Sequence, residues 1–481
     1  MSWKTGLRIR LITPNDNATH SMNGFSQRDP ASAAHPLSRD TRDTKAANLR
    51  LADTETGDVE PKLGRAEPES SPPPDNGPST GLRYWGGAIL GTLIVRSVQA
   101  ALKIEVLGKE HLCHARGALV VSNHRRDTDG PIVGGILLQP KGLRFHGQEP
   151  FYVAREDLFR PGFLGQYLQD FPKPLRILRH IPIARALNAM QLRPLRRIPE
   201  YTFGELLEDF LLQFGDMPLS EVLKPKWVDL FAKTLQRPAE DLRLSDALKA
   251  PPELRHRTHV FRRLQRQAFR RILPYQRQVI TQQLNHLAEI LDLGQSLFLA
   301  PEGGISLDGY FHKPRKSLHF LINACRKPPH VLPMGISYDP MRHGRTRVLV
   351  RIGEPLRDLA GLSRKETDER VSRAILRLWS INASQLAAHY ALKLPTGIDR
   401  KMLAERLYDY FSMVVGHAVK RALPLDPLLL DEAGRRKRAL QCANWIRRHP
   451  CCREKLIYLD RELGVLLSDH PEILAIHPAS G

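Results

Sequence analysis

Hydrophobic residues cluster along this chain in two distinct ways. Beyond residue 101 they form short runs closed by glycine or polar residues, at 104–107, 118–121, 180–184, 296–300, 330–336 and 347–352. Runs of this length bounded by turn formers predict strands. Between them apolar residues recur at helical spacing, as do Val279, Leu284, Leu287, Ile290 and Leu291 within 278–293. Strand, helix, strand in succession predicts an α/β fold, a sheet flanked by helices.

Two stretches depart from that alternation. Residues 188–275 read as helical and increasingly basic, with eight arginines and no acid between Arg255 and Arg277. There Phe261, Leu264, Ala268 and Ile272 recur at helical spacing beside a stripe of Arg262, Arg266 and Arg270, which predicts a basic amphipathic helix. Residues 363–481 are also helical in pattern, notably at 402–419 and 439–446. The predicted organisation is therefore a region over 102–362 interrupted by a basic helical insertion at 188–275, then a helical carboxyl-terminal region.

The amino-terminal segment differs again. Residues 1–80 are rich in turn formers, with SSPPPDNGP at 70–78, and are expected to be disordered. The beginning lacks the apolar core and cleavage site of a signal peptide. The run YWGGAILGTLIV at 84–95 would be about 18 Å long as a helix, against about 30 Å of bilayer hydrocarbon. The expectation for 81–101 is a helix lying in the membrane interface, with Tyr84 and Trp85 at headgroup depth.

Charge then narrows the partners. Lys and Arg number 72 against 51 Asp and Glu, a net +21, and such a surface seeks phosphate on nucleic acid or lipid. The first 80 residues hold 10 basic and 11 acidic side chains, so the excess lies downstream. No helix-turn-helix, zinc finger or RNA-recognition signature accompanies it, which leaves an anionic membrane surface as the expected partner and no nucleic acid. The five cysteines, Cys113, Cys325, Cys442, Cys451 and Cys452, have no zinc-ligand spacing, so reduced thiols and no metal are expected.

At the end of the strand predicted over 118–121 the chain reads Ser122, Asn123, His124, Arg125, Arg126, Asp127, Thr128, Asp129, Gly130, Pro131. The carboxyl end of a strand is where α/β folds build sites. Five residues along a regular helix separate two side chains by about 140°, so His124 must occupy the turn before a helix for Asp129 to reach it. Given that turn, Asp129 holds one ring nitrogen and the other is free as a base that activates a hydroxyl.

Further short motifs follow in order: Arg185 closing the strand predicted at 180–184, Pro301, Glu302 and Gly303 after the next strand, and Pro333 inside another. Together with Asn123, His124 and Asp129 these resemble the four blocks of the glycerolipid acyltransferases, the bacterial 1-acylglycerol-3-phosphate acyltransferases among them. The resemblance implies a mixed sheet flanked by helices and transfer of an acyl group from coenzyme A or acyl carrier protein to a lysophospholipid hydroxyl, with no cofactor. It implies His124 as base, Asp129 as its orienting partner, Arg185 on acceptor phosphate, and Asn123, Glu302 and Gly303 shaping the acceptor pocket. It also implies work at the cytoplasmic face of a membrane. Gly304 and Ile305 stand where the family carries Thr and Arg, and Lys313, Arg315 and Lys316 are close enough in sequence to supply the missing cation, Lys316 being the expected one. That altered third block admits an alternative, a family member that binds lipid as a scaffold without catalysis.

Overall fold

In a computed structural model the described residues are 82–138, 140–141, 144–145, 150–159, 184–198, 201–394 and 400–476. The expected disordered segment 1–80, and the predicted strand as far as residue 183, lie outside them. The strands are β1 (Leu102–Leu107), β2 (Leu119–Ser122), β3 (Phe151–Arg155), β4 (Leu192–Leu195), β5 (Leu297–Leu299), β6 (Val331–Asp339) and β7 (Thr346–Ile352), all but β3 and β4 on predicted apolar runs. They form one mixed sheet in the order β1-β7-β6-β2-β5-β3-β4. Every neighbouring pair is parallel except β6 with β7, whose short connection through Gly344, at φ 85°, leaves room only for a hairpin.

Both faces of the sheet are covered, which explains why its middle strands read as continuous apolar runs. Alternation along β2 sends Leu119 and Val121 into one cluster with Leu287, Leu321 and Ile375. Ala118 and Val120 enter the other, with Ile132, Val133 and Val350. The helices around the sheet are α1 (Leu82–Ala101) and α2 (Asp129–Leu138), then, after α3 (Phe203–Phe214) and α4 (Pro225–Leu235), which pack in the insertion's own cluster, α5 (Arg266–Asp292), α6 (Lys316–Ala324) and α7 (Arg364–Leu378). A carboxyl-terminal bundle follows, of α8 (Ala383–Leu392), α9 (Arg400–Lys420), α10 (Glu432–Arg448) and α11 (Arg453–Leu466).

Strands β3 and β4 lack a fully buried pattern, and the apolar-run criterion passed over both. Strand β4 falls inside the segment predicted to be wholly helical and forms an edge of the sheet. Arg185 is itself helical: it lies, exposed, in the turn Ala184–Ala189. The helix predicted across the basic stretch is interrupted by His259 at φ 58° and a 3-10 turn, Val260–Arg263, before α5 begins. Phe261, Leu264, Ala268 and Ile272 nonetheless meet in a single cluster, so the spacing identified a shared face and overstated its continuity.

No described helix is long and apolar enough to cross a membrane. Helix α1 buries Val95 against Gly135 of α2, where an added Cβ would come within 2.8 Å of the valine. Ile89, Leu93 and Ile94 are 59%, 59% and 37% exposed.

Candidate functional site

Strand β2 ends at Ser122 and α2 begins at Asp129, so 123–128 form a loop at the carboxyl edge of the middle of the sheet. Asn123 anchors it: its amide nitrogen donates to the Ile336 carbonyl at 2.8 Å, and its amide oxygen accepts from the Ile336 N–H at 2.8 Å. The side chain thus continues the β2–β6 pairing and is buried. It holds the loop instead of facing a pocket.

The next residue meets Asp129. His124 Nδ1 lies 3.0 Å from Asp129 Oδ2. The same oxygen accepts the backbone N–H of Arg125 at 2.6 Å and of Arg126 at 2.9 Å. Asp129 Oδ1 accepts the Tyr338 hydroxyl, and Thr128 Oγ1 lies 2.9 Å from that hydroxyl. The Asp129 side chain is 0% exposed and His124 is 19% exposed. A buried carboxylate at the first turn of a helix, held by four donors, has its orientation fixed. Donation of Nδ1–H to it leaves the lone pair on Nε2, the nitrogen available to a substrate. Burial beside the Asp129 carboxylate pushes the Tyr338 phenol well above its ordinary range, so Tyr338 remains a donor.

Glu302 joins this loop to the one after β5. Its carboxylate accepts the His124 N–H at 3.2 Å and the His312 N–H at 2.8 Å, and the His124 carbonyl accepts the Ser306 N–H at 3.0 Å. Burial raises the Glu302 carboxyl, opposed by the nearby Arg125 charge and these two backbone donors. Gly303, at φ 75°, leaves space that a Cβ would fill to within 2.8 Å of Arg315 Cγ. Arg315 Nε passes there to the Glu302 carbonyl at 3.2 Å. Of Lys313, Arg315 and Lys316, Arg315 is therefore the one that bonds this loop at Glu302. Lys316 is exposed in the first turn of α6, and among the described residues no hydrogen bond or ion pair links it, or Arg185, to His124 or Glu302.

Behind the loop stand residues that no motif marks. Arg125 is buried, its guanidinium 4.0 Å from the centre of the Trp379 ring and its Nη1 donating to the Tyr310 carbonyl at 3.0 Å. Its Nε stands 3.7 Å from Glu462 Oε1 on α11. Tyr458, one helical turn earlier, donates to the Ser306 carbonyl at 3.2 Å. Tyr338 had a detectable signal, a polar aromatic ending the long apolar run of β6. Glu462 had none.

Among the described residues no group of histidine, cysteine and carboxylate side chains suits a metal ion. An open groove of about 580 Å³ runs beside the first turns of α2, lined by Leu102, Ile104, Val106, Leu112, Pro131 and Ile136 among others.

No family model matches the chain, and no curated protein matches it by sequence. Among solved structures, the 1-acyl-sn-glycerophosphate (LPA) acyltransferase PlsC from Thermotoga maritima is similar over 61% of this chain and 80% of its own, at 17% identity and a TM-score of 0.27. At that level of similarity the reading of the site rests on its own geometry.

Proposed function

We propose that the chain is an O-acyltransferase that moves a fatty acyl group from a thioester, on coenzyme A or acyl carrier protein, to a lysophospholipid hydroxyl, with 1-acylglycerol-3-phosphate as the best-fitting acceptor. The observation that carries this reading is the His124–Asp129 pair, 3.0 Å apart, with the carboxylate buried and held by four donors and the imidazole at the rim. Nε2 takes the hydroxyl proton as the oxygen attacks the thioester carbonyl; the C–S bond breaks and the leaving thiolate takes that proton back.

Each substrate portion has a counterpart. The apolar groove beside α2 suits an acyl chain, and Arg315 beside Gly303 suits the acceptor phosphate as a charge-assisted donor. Exposed Ile89, Leu93 and Ile94 on α1, with exposed Arg262, Arg266 and Arg270 on the insertion, suit an anionic membrane at its cytoplasmic face.

Purified protein incubated with a labelled acyl thioester and a panel of lysophospholipids tests the reading. Replacing His124 by Ala should lower transfer by about 10²- to 10⁴-fold, the usual contribution of a general base. Transfer at the parent rate by the variant would overturn the assignment.

A further inference from the structure

A closed circuit of buried polar contacts ties the loop of His124 to the carboxyl-terminal bundle. The Arg125 N–H donates to Asp129 Oδ2, and Asp129 Oδ1 accepts from Tyr338. The Tyr338 carbonyl accepts Asn382 Nδ2 at 3.2 Å, and the Asn382 N–H donates to Gln385 Oε1 at 3.0 Å, the capping pair that starts α8. Gln385 Nε2 donates to Glu462 Oε2 at 3.1 Å. Glu462 Oε1 then faces Arg125 Nε at 3.7 Å, which closes the ring.

Arg125 is the member on which this circuit turns. It is almost wholly buried and its charge needs an anion nearby. Glu462 is the carboxylate at ion-pair distance, and Glu302, which holds the His124 N–H, also feels the Arg125 charge. Arg125 Nη1 and the Tyr458 hydroxyl each hold a carbonyl of the same loop, Tyr310 and Ser306. Glu462 and Tyr458 are four residues apart on α11, so one helix face carries both groups.

We propose that Glu462 is a positioning residue: from α11 it sets Arg125 and, through it, the Glu302–His312 loop against His124, so that the carboxyl-terminal bundle completes the site. The proposal rests on the acyl-transfer reading for its kinetic consequence and on the structure alone for its mechanical one. Two readouts keep these apart in the full-length protein.

With a saturating acyl thioester and lysophosphatidate, Glu462→Gln should lower kcat by about 10- to 100-fold while KM stays within about twofold, the pattern of a displaced catalytic group. By hydrogen exchange, peptides covering 302–312 should open faster, by about tenfold, with β6 peptides unchanged. A second variant, Arg125→Met with Glu462→Leu, removes the buried pair together and should recover thermal stability without recovering kcat. Parent values of kcat and of exchange in Glu462→Gln would overturn the proposal. So would recovery of kcat in the double variant along with its stability, because Glu462 would then be structural only. Faster exchange in Glu462→Gln, in a parent protein showing no transfer with any acceptor, would keep the positioning role and overturn the acyl-transfer reading instead.

Discussion

The insertion and the carboxyl-terminal bundle are both helical and both lie outside the motif-bearing strands, yet they join the sheet in opposite ways. The insertion closes on itself: Phe203, Phe210 and Phe231 centre its own cluster. Several of its arginines stack on its own aromatics, Arg263 4.0 Å above Trp227 and Arg271 4.6 Å above Phe214. Its buried link to the sheet is Arg196, just past the edge strand β4, which pairs with Glu156 at 2.6 Å and Asp209 at 2.8 Å. Strand β4 stands three places from β2, or about 14 Å at the usual strand spacing.

The bundle instead sends charge into the middle of the sheet. Arg438 meets Asp339 at the end of β6 at 2.6 Å, and Asp426 pairs with Arg347 of β7. Glu462 and Tyr458 reach the loops around His124. A helical region of unknown purpose is thus better judged by where its buried charges end than by its composition. The basic insertion looked the more functional in sequence, and the bundle is the region that touches the site.

Breaking one buried ion pair in each region gives the largest test. Arg438→Leu and Arg196→Met each strand a buried carboxylate, which costs about 3–5 kcal/mol, read as a fall in the denaturation midpoint. Activity per folded molecule should fall steeply in Arg438→Leu and hold in Arg196→Met. Equal retention of activity in both would dissolve the distinction.

Core truncations sharpen it. Leu206→Ala in the insertion and Leu463→Ala in the bundle remove fully buried side chains, at about 2–5 kcal/mol each. At a temperature where both remain folded, kcat should drop in Leu463→Ala, whose neighbour is Glu462, and stay near parent in Leu206→Ala.

The same contrast shows what was readable in the chain. The strands at 118–121, 296–300, 330–336 and 347–352 were legible because burial on both faces writes an unbroken apolar run. The pairing of His124 with Asp129 was legible because both partners share one strand-to-helix turn. Strands β3 and β4, half-buried near an edge, wrote no such run. Tyr338, Glu462 and the Arg125 clamp are contacts between residues far apart in sequence, and no local period records them. Arg185 was assigned from the order of motifs and Lys316 from closeness in sequence to the third block, and neither fixes where a side chain on a helical turn lies.

A smaller effect concerns the membrane. Replacing Arg262, Arg266 and Arg270 by Gln should weaken binding to anionic vesicles by about 1 kcal/mol per cation at low salt, and by less as salt screens the surface. Transfer to a monomeric short-chain acceptor should be unchanged. Loss of transfer in solution would mean that the insertion, like the bundle, acts on the site.

The least of these effects is a difference in sign with pH. In the bundle, burial raises the carboxyls of Glu462 and Asp426, outweighing Arg125 and Arg347. A carboxyl raised on folding favours the folded state below its ordinary value, about 4, and that contribution is lost as pH climbs through the raised value. On the insertion, Asp216 and Asp246 feel a little burial but are carried downward by Ser245 and Arg243 and by Lys249, Arg243 and Arg237. Their contribution is present above about 4 and lost as pH falls through the lowered value; Asp216 is exposed and Asp246 pairs with the exposed Lys249 and Arg237, so they give little. Amide exchange corrected for its intrinsic pH dependence should therefore show the bundle becoming more protected as pH falls from 7 toward 4.5 while the insertion does not, since burial and the Arg255 charge lower His256 there and make its protonation oppose folding. In Glu462→Gln that gain should shrink, because one raised carboxyl is gone. A gain of equal size in parent and variant would assign it to Asp426 and leave Glu462 ionised throughout, its charge matched by Arg125 across the whole range.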